Sequence, residues 1–184
     1  MVIYRELTDC DLNLELFASF QRHQIVTDCW RRIDGRWTIV PVPFIAQWTP
    51  EDYQFLVECL KNTLEKGGIV YGAFLDHVLK GFVSVEGTPL GSRNQYLDLT
   101  SLHVSEELRR QGIGKQLFHL ACQWALERQA EKLYISSHSA AETQCFYRGL
   151  GCIEAEEYQE AHVLQEPYDC QLEFILKPLE ESDT

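Results

Sequence analysis

The stretch Arg109-Arg110-Gln111-Gly112-Ile113-Gly114-Lys115 decides the fold, because it places two glycines between a predicted strand and a predicted helix. Residues 96–104 before it have the pattern of a strand, and residues 111–128 carry apolar side chains at helical spacing. A glycine turn that opens a helix leaves backbone N–H groups free, and the helix dipole adds partial positive charge at the same end. The stretch therefore predicts an anion site, most often one for phosphate.

Positive charge is concentrated in this stretch against the trend of the chain. Arg109, Arg110 and Lys115 lie close together, whereas the 184-residue chain has a formal net charge of -12 and a pI near 4.9. Such a balance argues against nucleic-acid binding, which depends on neutralising phosphates. The negative field would attract a cationic small molecule or an amine. A solvated acidic surface without functional meaning is the alternative interpretation.

Two familiar phosphate-binding motifs are excluded by their spacing. A P-loop needs an earlier glycine at a fixed distance and a Ser or Thr after the lysine, whereas Gln116 follows Lys115. The dinucleotide-binding fingerprint needs a third glycine three positions after Gly114, where this chain has Leu117. The glycine turn must therefore belong to a different class of anion site.

The turn resembles the signature of the Gcn5-related N-acetyltransferase (GNAT) superfamily, Gln/Arg-x-x-Gly-x-Gly/Ala, which Arg109, Gly112 and Gly114 match. Residues 139–152, which include Phe146-Tyr147, look like a second segment of that family. The resemblance is firm over residues 68–176. It implies one domain over residues 1–184, with an α/β (α+β) fold in which helices flank a mixed, mostly antiparallel sheet with a central parallel strand pair. Residues 68–176 would form the acetyl-CoA-binding core.

The order of predicted elements fits this fold. The strands are predicted at 2–5, 69–75, 78–86, 96–104, 132–136, 153–158 and 170–176. The helices are predicted over 12–20 (capped by Asp9 or Asp11), from Pro50 to the glycines at 67–68, over 111–128, and over 139–148 with a Ser139–Glu142 capping box. Residues 21–49 show no clear pattern, although their aromatic content argues against a disordered linker.

The resemblance also implies which residues hold the cofactor. The backbone N–H of Leu102 would stabilise the oxyanion, and that of Val104 would bind the pantetheine arm. The turn would hold the pyrophosphate through its N–H groups. The full set of expected cofactor-binding residues is Leu102, His103, Val104, Arg109, Arg110, Gln111, Gly112, Ile113, Gly114, Lys115 and Ser139.

Acyl transfer from a thioester to an amine needs an unprotonated amine, a stabilised oxyanion and a leaving thiolate. Tyr147 matches the family's tyrosine that faces the sulfur of coenzyme A, so the resemblance implies a general acid; packing beside Phe146 is the alternative. Asp98 stands where some family members carry a catalytic glutamate, and a structural acid is the alternative. Further candidates for the base are His103, His138, Glu142, His162, Glu166 and Asp169, or a chain of water, and His103 is favoured as a hydrogen-bonded core histidine.

The acceptor site is expected in the parts of the chain least like the family, residues 21–49 and 159–169. Residues 1–67 would be a divergent N-terminal part with a lid over the acceptor. Trp30, Trp37 and Trp48 suit either an aromatic wall for a cationic amine or packing within a lid or core. Acidic residues concentrate in the C-terminal hairpin. An ammonium-bearing acceptor is therefore the expected partner.

Together these features predict an N-acetyltransferase that moves the acetyl group of acetyl-CoA to a primary amine by direct attack in a ternary complex, without a metal. A CoA-binding sensor, another acyl donor and an O-acceptor stay open as alternatives, as does a homodimer. The seven cysteines show no metal-binding spacing, and the chain has neither a signal-peptide pattern nor a membrane-length apolar run. We therefore expect a cytoplasmic protein with reduced thiols that binds neither nucleic acid nor membranes.

Overall fold

Nine β-strands and four α-helices make up residues 1–177, the part of the chain that the computed structural model describes. The strands are β1 (Val2–Glu6), β2 (His23–Ile33), β3 (Arg36–Gln47), β4 (Ile69–Leu75), β5 (Val78–Val85), β6 (Tyr96–Val104), β7 (Lys132–Ser137), β8 (Ile153–Glu154) and β9 (Cys170–Ile175). The helices are α1 (Pro50–Glu65), α2 (Ile113–Glu127), α3 (Ala141–Gly149) and α4 (Glu160–Gln165). None of these helices is both long and apolar enough to cross a membrane.

Seven of the strands form one sheet in the order β1-β4-β5-β6-β7-β9-β8. All neighbouring strands are antiparallel except β6 and β7, which α2 connects by a crossover. The predicted α/β fold, with a mostly antiparallel sheet and a central parallel pair, is therefore confirmed. A strand–helix–strand unit gives this parallel pair because the helix must return the chain to the starting edge before the next strand begins.

The parallel pair opens after its first three residues. Tyr96, Leu97 and Asp98 pair with residues 132–134, and β6 then continues to Val104 without a partner on that side. Ser105 N donates to Lys80 O of β5 (2.8 Å). Because backbone N–H groups alternate in direction along a strand, those of Leu102 and Val104 point away from β5, toward the open edge. The sheet therefore presents unpaired backbone donors at its centre.

Apolar side chains cover both faces of the sheet around this opening. The cluster under α2 includes Val83, Leu97, Leu117, Ala121 and Leu133, all buried. The cluster on the opposite face, under α1, includes Leu12, Phe20, Leu60, Val70 and Phe82. As predicted, α1 starts at Pro50, and a capping box not predicted from the sequence precedes it, in which Thr49 and Asp52 exchange side-chain-to-backbone hydrogen bonds. These two layers hold β5 and β6 rigidly beside the opening.

Residues 23–47, which the sequence left unassigned, form a separate two-stranded ribbon of β2 and β3. The ribbon is joined to the start of α3, because Trp30 N donates to Ser139 O (2.7 Å) and Cys29 forms a β-bridge with Ala140. It lies over the segment that follows β7, where Phe44 packs against His138 with 5.6 Å between ring centroids. The ribbon thus has a position that suits the expected lid.

Three local predictions were wrong. The helix over 12–20 is only a 3₁₀ turn at Leu14–Phe17, capped by Asn13. The Ser139–Glu142 capping box does not form, because Ala140 is the N-cap of α3 and the Ser139 hydroxyl accepts a hydrogen bond from Arg31 Nη1 (2.6 Å). The final hairpin is much shorter on its first side, since β8 has two residues, and its loop contains the unpredicted helix α4.

Candidate active site

The glycine turn lies at the end of β6 and begins α2. Gly112 is the N-cap, with a left-handed φ of 84°, and a Cβ added there would meet no atom within 4 Å. The N–H groups of residues 111–115 have no hydrogen-bond acceptor within the described chain, and the first N–H used by the helix is that of Gln116, which donates to Gly112 O. The turn therefore offers consecutive free donors beside open space, which is the arrangement that binds phosphate at a helix start.

Gly114 has a different role in the same turn. A Cβ there would lie 3.3 Å from Phe146 Cζ and 3.5 Å from Val104 Cγ2. Glycine thus lets the first turn of α2 approach α3 and the end of β6 closely. This packing brings the glycine turn and the helix that carries Tyr147 into direct contact.

The basic side chains of the turn differ in their surroundings. Arg109 Nε donates to Val104 O (3.2 Å), so this side chain holds the turn against the end of β6. Arg110 and Lys115 are exposed, and neither forms an ion pair within residues 1–177. Arg110 and Lys115 are therefore free to reach a phosphate bound at the turn.

Tyr147 lies on α3 with its side chain buried and only 6% exposed. Its ring packs against Phe118 and Phe146, with centroid distances of 6.4 Å and 5.1 Å. Its hydroxyl has no hydrogen-bond partner among residues 1–177, and burial, together with the nearby Cys152 and Asp169, raises the pKa of the phenol. Tyr147 therefore keeps its proton and has an unused O–H donor.

Asp98 is the last residue of the paired part of β6, at the point where the two parallel strands separate. Its Oδ2 lies 2.6 Å from Nε2 of His162 on α4, and its buried Oδ1 has no partner among the described residues. The His162 ring stacks on Tyr134 at 5.7 Å, and its hydrogen bond to Asp98 raises the pKa of His162. Asp98 and His162, both candidate bases, are thus hydrogen-bonded to each other although they lie 64 residues apart in the sequence.

Asp169 is a second carboxyl group beside the opening. Its Oδ2 accepts a hydrogen bond from Ser136 Oγ of β7 (3.3 Å), and Ser136 Oγ accepts one from Gln171 Nε2 (3.0 Å). Burial, with a contribution from Glu166, raises the pKa of Asp169 to about 6. A carboxyl group that titrates near neutral pH is suited to accept a proton.

The side chains of His103 and Ser139 are both held by contacts within the chain. The His103 ring packs against Trp48 (4.7 Å) and Phe82 (5.4 Å) on the α1 face of the sheet. Burial and the charges of Arg22 and Arg109 lower the pKa of His103 to about 3, so its ring is neutral at neutral pH. Ser139 is 2% exposed and bonded to Arg31. Both side chains contact the N-terminal part of the chain, and their expected role in holding the cofactor stays a prediction.

Two residues near the candidate site, Arg22 and His162, had no local signal in the sequence. Arg22 had no predicted role, although its guanidinium is largely buried beside Trp48. His162 was only one of several candidate bases, since the short helix α4 that carries it was not predicted. The surroundings of both residues come from contacts with distant parts of the chain, which the local sequence does not show.

Comparison with known proteins agrees with this geometry. A family model described as the acetyltransferase (GNAT) family matches residues 24–152. Nourseothricin acetyltransferase has a similar structure, with a TM-score of 0.72 and 19% identity over 96% of this chain and 99% of the other. A putative streptothricin acetyltransferase from Bacillus anthracis, solved with acetyl coenzyme A, has a TM-score of 0.68 and 21% identity over 94% and 97% of the two chains.

A third similar structure is an aminoglycoside 6'-N-acetyltransferase complexed with coenzyme A, with a TM-score of 0.54 and 15% identity over 71% of this chain and 83% of the other. No curated protein matches this chain in sequence. At these identities the structural matches show a shared fold. The family model covers most of the chain, and the open parallel pair and the glycine turn agree with it; the chain belongs to the GNAT acetyltransferase family.

Proposed function

We propose that this chain is an acetyl-CoA-dependent N-acetyltransferase that acetylates the primary amine of a small acceptor in a ternary complex. The observation that carries the proposal is two sets of free backbone donors, those of Leu102 and Val104 on the open edge of β6 and those of residues 111–115 at the start of α2. Free thiols at all seven cysteines suit a reducing compartment such as the cytoplasm.

The residues present fit acetyl-CoA. The open space beside Gly112 would accommodate the pyrophosphate, and Arg110 and Lys115 are exposed at the same turn. The unpaired edge of β6 would donate to the amide groups of the pantetheine arm. When bound, acetyl-CoA supplies an acyl group on a thioester and a thiol that can leave. Binding at the turn needs no metal, because N–H groups and cationic side chains balance the phosphate charge.

The side chains at the opening supply the proton transfers. Asp169 accepts a proton from the acceptor's ammonium group, because its raised pKa of about 6 suits a base near neutral pH. The free amine attacks the acyl carbon, and the N–H of Leu102 donates to the developing oxyanion. The C–S bond then breaks as Tyr147 donates its proton to the departing sulfur, and the proton that the attacking nitrogen loses on forming the amide returns to the Tyr147 phenolate. Asp98 holds His162 beside this site and acts as a positioning residue.

The acceptor is proposed to carry a positive charge before it reacts. Glu166 and Asp169 lie close enough together for the first to raise the pKa of the second. His162 and Asp98 lie beside them. An ammonium group would be attracted to this concentration of carboxylates.

The test is consumption of acetyl-CoA with a panel of primary amines and matched alcohols, together with direct binding of coenzyme A. Gly112→Glu places a negative side chain where the phosphate would lie. Losing two charge-assisted hydrogen bonds of about 1.5–3 kcal/mol each should weaken coenzyme A binding by at least about 100-fold.

Gly35→Glu is the matched control, because Gly35 also has a left-handed φ (76°) and open space at its Cβ but lies in the turn between β2 and β3. Both variants introduce the same strain and charge. A lower coenzyme A affinity in Gly112→Glu alone would therefore come from a site at residues 109–115. Equal affinities in the two variants would contradict the assignment. Turnover with alcohols alone would indicate an O-acetyltransferase, and coenzyme A binding without any turnover would indicate a sensor.

A further inference from the structure

Arg22 has an unusual environment just before β2. Its guanidinium carbon lies 5.6 Å from the centroid of the Trp48 ring, in a pocket that Gln47, Tyr53 and Glu106 also line. Two of its nitrogens, Nε and Nη1, are fully buried and have no acceptor within residues 1–177. The side chain therefore holds a buried positive charge with unused donors.

No carboxylate forms an ion pair with Arg22 within residues 1–177. Glu106, in the same pocket, pairs with His23 Nδ1 (2.9 Å). Burial lowers the pKa of Arg22, and the positive charge of Arg109 lowers it further. Arginine does not give up its proton in proteins, so the guanidinium cannot relieve the cost by becoming neutral. A buried donor without an acceptor is costly, and a bound anion would remove that cost.

The backbone of Arg22 is held in place. Arg22 N donates to the Tyr53 hydroxyl (3.2 Å), which in turn donates to Phe20 O (2.7 Å), and Trp48 N donates to Arg22 O (3.1 Å). The residue is therefore fixed by both α1 and the end of β3. A cation positioned in advance binds an anion without a large ordering cost.

Arg22 lies near the opening between β6 and β7. Its charge lowers the pKa of both His103 on β6 and His138 after β7, so it is near both of the strands that separate. His138 also feels Glu166, which acts in the opposite direction. His138 is therefore close enough to both Arg22 and Glu166 for each charge to act on it.

We propose that Arg22 binds an anionic group of the acceptor, a carboxylate or a phosphate, so that the acceptor is zwitterionic, with its amine near Asp169. The identity of the amine rests on the proposed acetyl transfer. A guanidinium binds either anion through parallel N–H···O hydrogen bonds. The phosphates of the cofactor are the other source of the same chemistry. We assign the acceptor because Trp48 and Tyr53, which contact Arg22, pack in the cluster on the α1 face, whereas Ile113 and Leu117, which begin α2, pack in the cluster on the opposite face.

The first test compares amines that differ only in the anionic group: 6-aminohexanoate with hexylamine, and O-phosphoethanolamine with ethanolamine. The wild-type chain should prefer the anionic member of a pair by about 10–100-fold in kcat/KM, the usual value of one charged hydrogen-bonding contact. Arg22→Gln should abolish the preference, Arg22→Lys should keep part of it, and the exposed control Arg36→Gln should keep all of it. The KM for acetyl-CoA should not change. An unchanged preference in Arg22→Gln, or a loss confined to acetyl-CoA affinity, would overturn the proposal.

The second test does not depend on turnover. Removing an unpaired buried charge should raise the Tm of the ligand-free Arg22→Gln variant by about 2–8 °C, whereas a structural arginine would lower it on replacement. With coenzyme A present, 6-aminohexanoate or inorganic phosphate should stabilise the wild-type chain and not the variant. A lower Tm in Arg22→Gln, or no stabilisation of the wild-type chain by either probe, would overturn the anion site. If these shifts occur and no amine is acetylated, the proposed acetyl transfer fails and the anion site stands.

Discussion

Replacing Tyr147 by Phe should slow acetyl transfer and leave the folded chain almost as stable as before. The hydroxyl has no hydrogen-bond partner within residues 1–177, so its removal leaves no donor or acceptor unsatisfied. The ring, which is 6% exposed, keeps its contacts with Phe118 and Phe146. We therefore expect the free energy of unfolding to change by less than about 0.5 kcal/mol.

The effect on the rate follows from the proton that Tyr147 is proposed to donate. Burial raises the pKa of the phenol, so it stays protonated over the pH range of an assay. A positioned general acid contributes about 10²–10⁴-fold, so kcat should fall by that factor. The KM for acetyl-CoA should change by less than about threefold, because the proton is transferred only in the transition state.

The matched control is Tyr96→Phe, measured by steady-state thiol release and by thermal unfolding. Tyr96 is also buried, but its hydroxyl donates to Glu173 Oε2 (2.6 Å). Removing this donor should cost about 1–3 kcal/mol and lower the Tm by roughly 2–10 °C, while kcat per folded molecule is kept. The two variants should therefore show opposite patterns. An unchanged kcat in Tyr147→Phe, or a loss of stability like that of Tyr96→Phe, would refute the reasoning.

Three further predictions concern the carboxyl groups. Because the pKa of Asp169 is raised to about 6, kcat/KM should rise as the pH passes through 6, and Asp169→Asn should lose this limb of the pH–rate profile. The same raised pKa means that the folded chain binds the proton more tightly than the unfolded chain, so the stability contribution is present at low pH and is lost as the pH rises through about 6. Asp169→Asn should thus raise the Tm near neutral pH and not below about pH 4; an equal shift at both would contradict the burial of this carboxyl. Glu173→Gln should lower the free energy of unfolding by about 1.5–3 kcal/mol in a denaturant titration, because the buried carboxylate accepts a hydrogen bond from Lys132 Nζ (2.8 Å) while Lys132 keeps its ion pair with Glu156 (2.7 Å). A loss below about 0.5 kcal/mol would contradict this.

The glycine turn and the elements around it could be predicted because the evidence for them is local. The predicted strand at 96–104 has the bounds of β6, and the predicted helix at 111–128 differs from α2 only at its ends. The start differs because Gly112 takes a left-handed conformation and becomes the N-cap. The spacing of apolar residues alone does not show at which residue a left-handed conformation sets the start of a helix.

The ribbon of β2 and β3 could not be predicted because its sequence does not alternate cleanly. Ile25, Ile39 and Ile45 are exposed, which removes the contrast between an apolar and a polar face. Pro41 and Pro43 lie within β3, where a sequence pattern would not place a strand. Prolines are tolerated there because each strand of the two-stranded ribbon has a free edge. In the segment before it, Leu12, Phe17 and Phe20 have helical spacing but reach the core from a 3₁₀ turn and bends.

The candidate site was only partly predictable for a related reason. Tyr147 and residues 109–115 belong to two short motifs, so the resemblance located them without knowledge of the fold. The pairing of Asp98 with His162 joins positions 64 residues apart. Arg22 approaches Arg109 only because the N-terminal segment returns to the end of β6. Contacts of this kind depend on the tertiary arrangement, which no local pattern contains.

The open parallel pair also affects how long the chain would survive in a cell. Three residue pairs join the half-sheet β1-β4-β5-β6 to the half-sheet β7-β9-β8. A ligand lying along the free edge of β6 would act as an extra strand between the halves, and at 100 times its Kd it would add about 2.7 kcal/mol to the stability. Degradation by proteases that attack the opened chain would then be slowest when acyl donor is plentiful. The abundance of the protein would follow the supply of its own substrate.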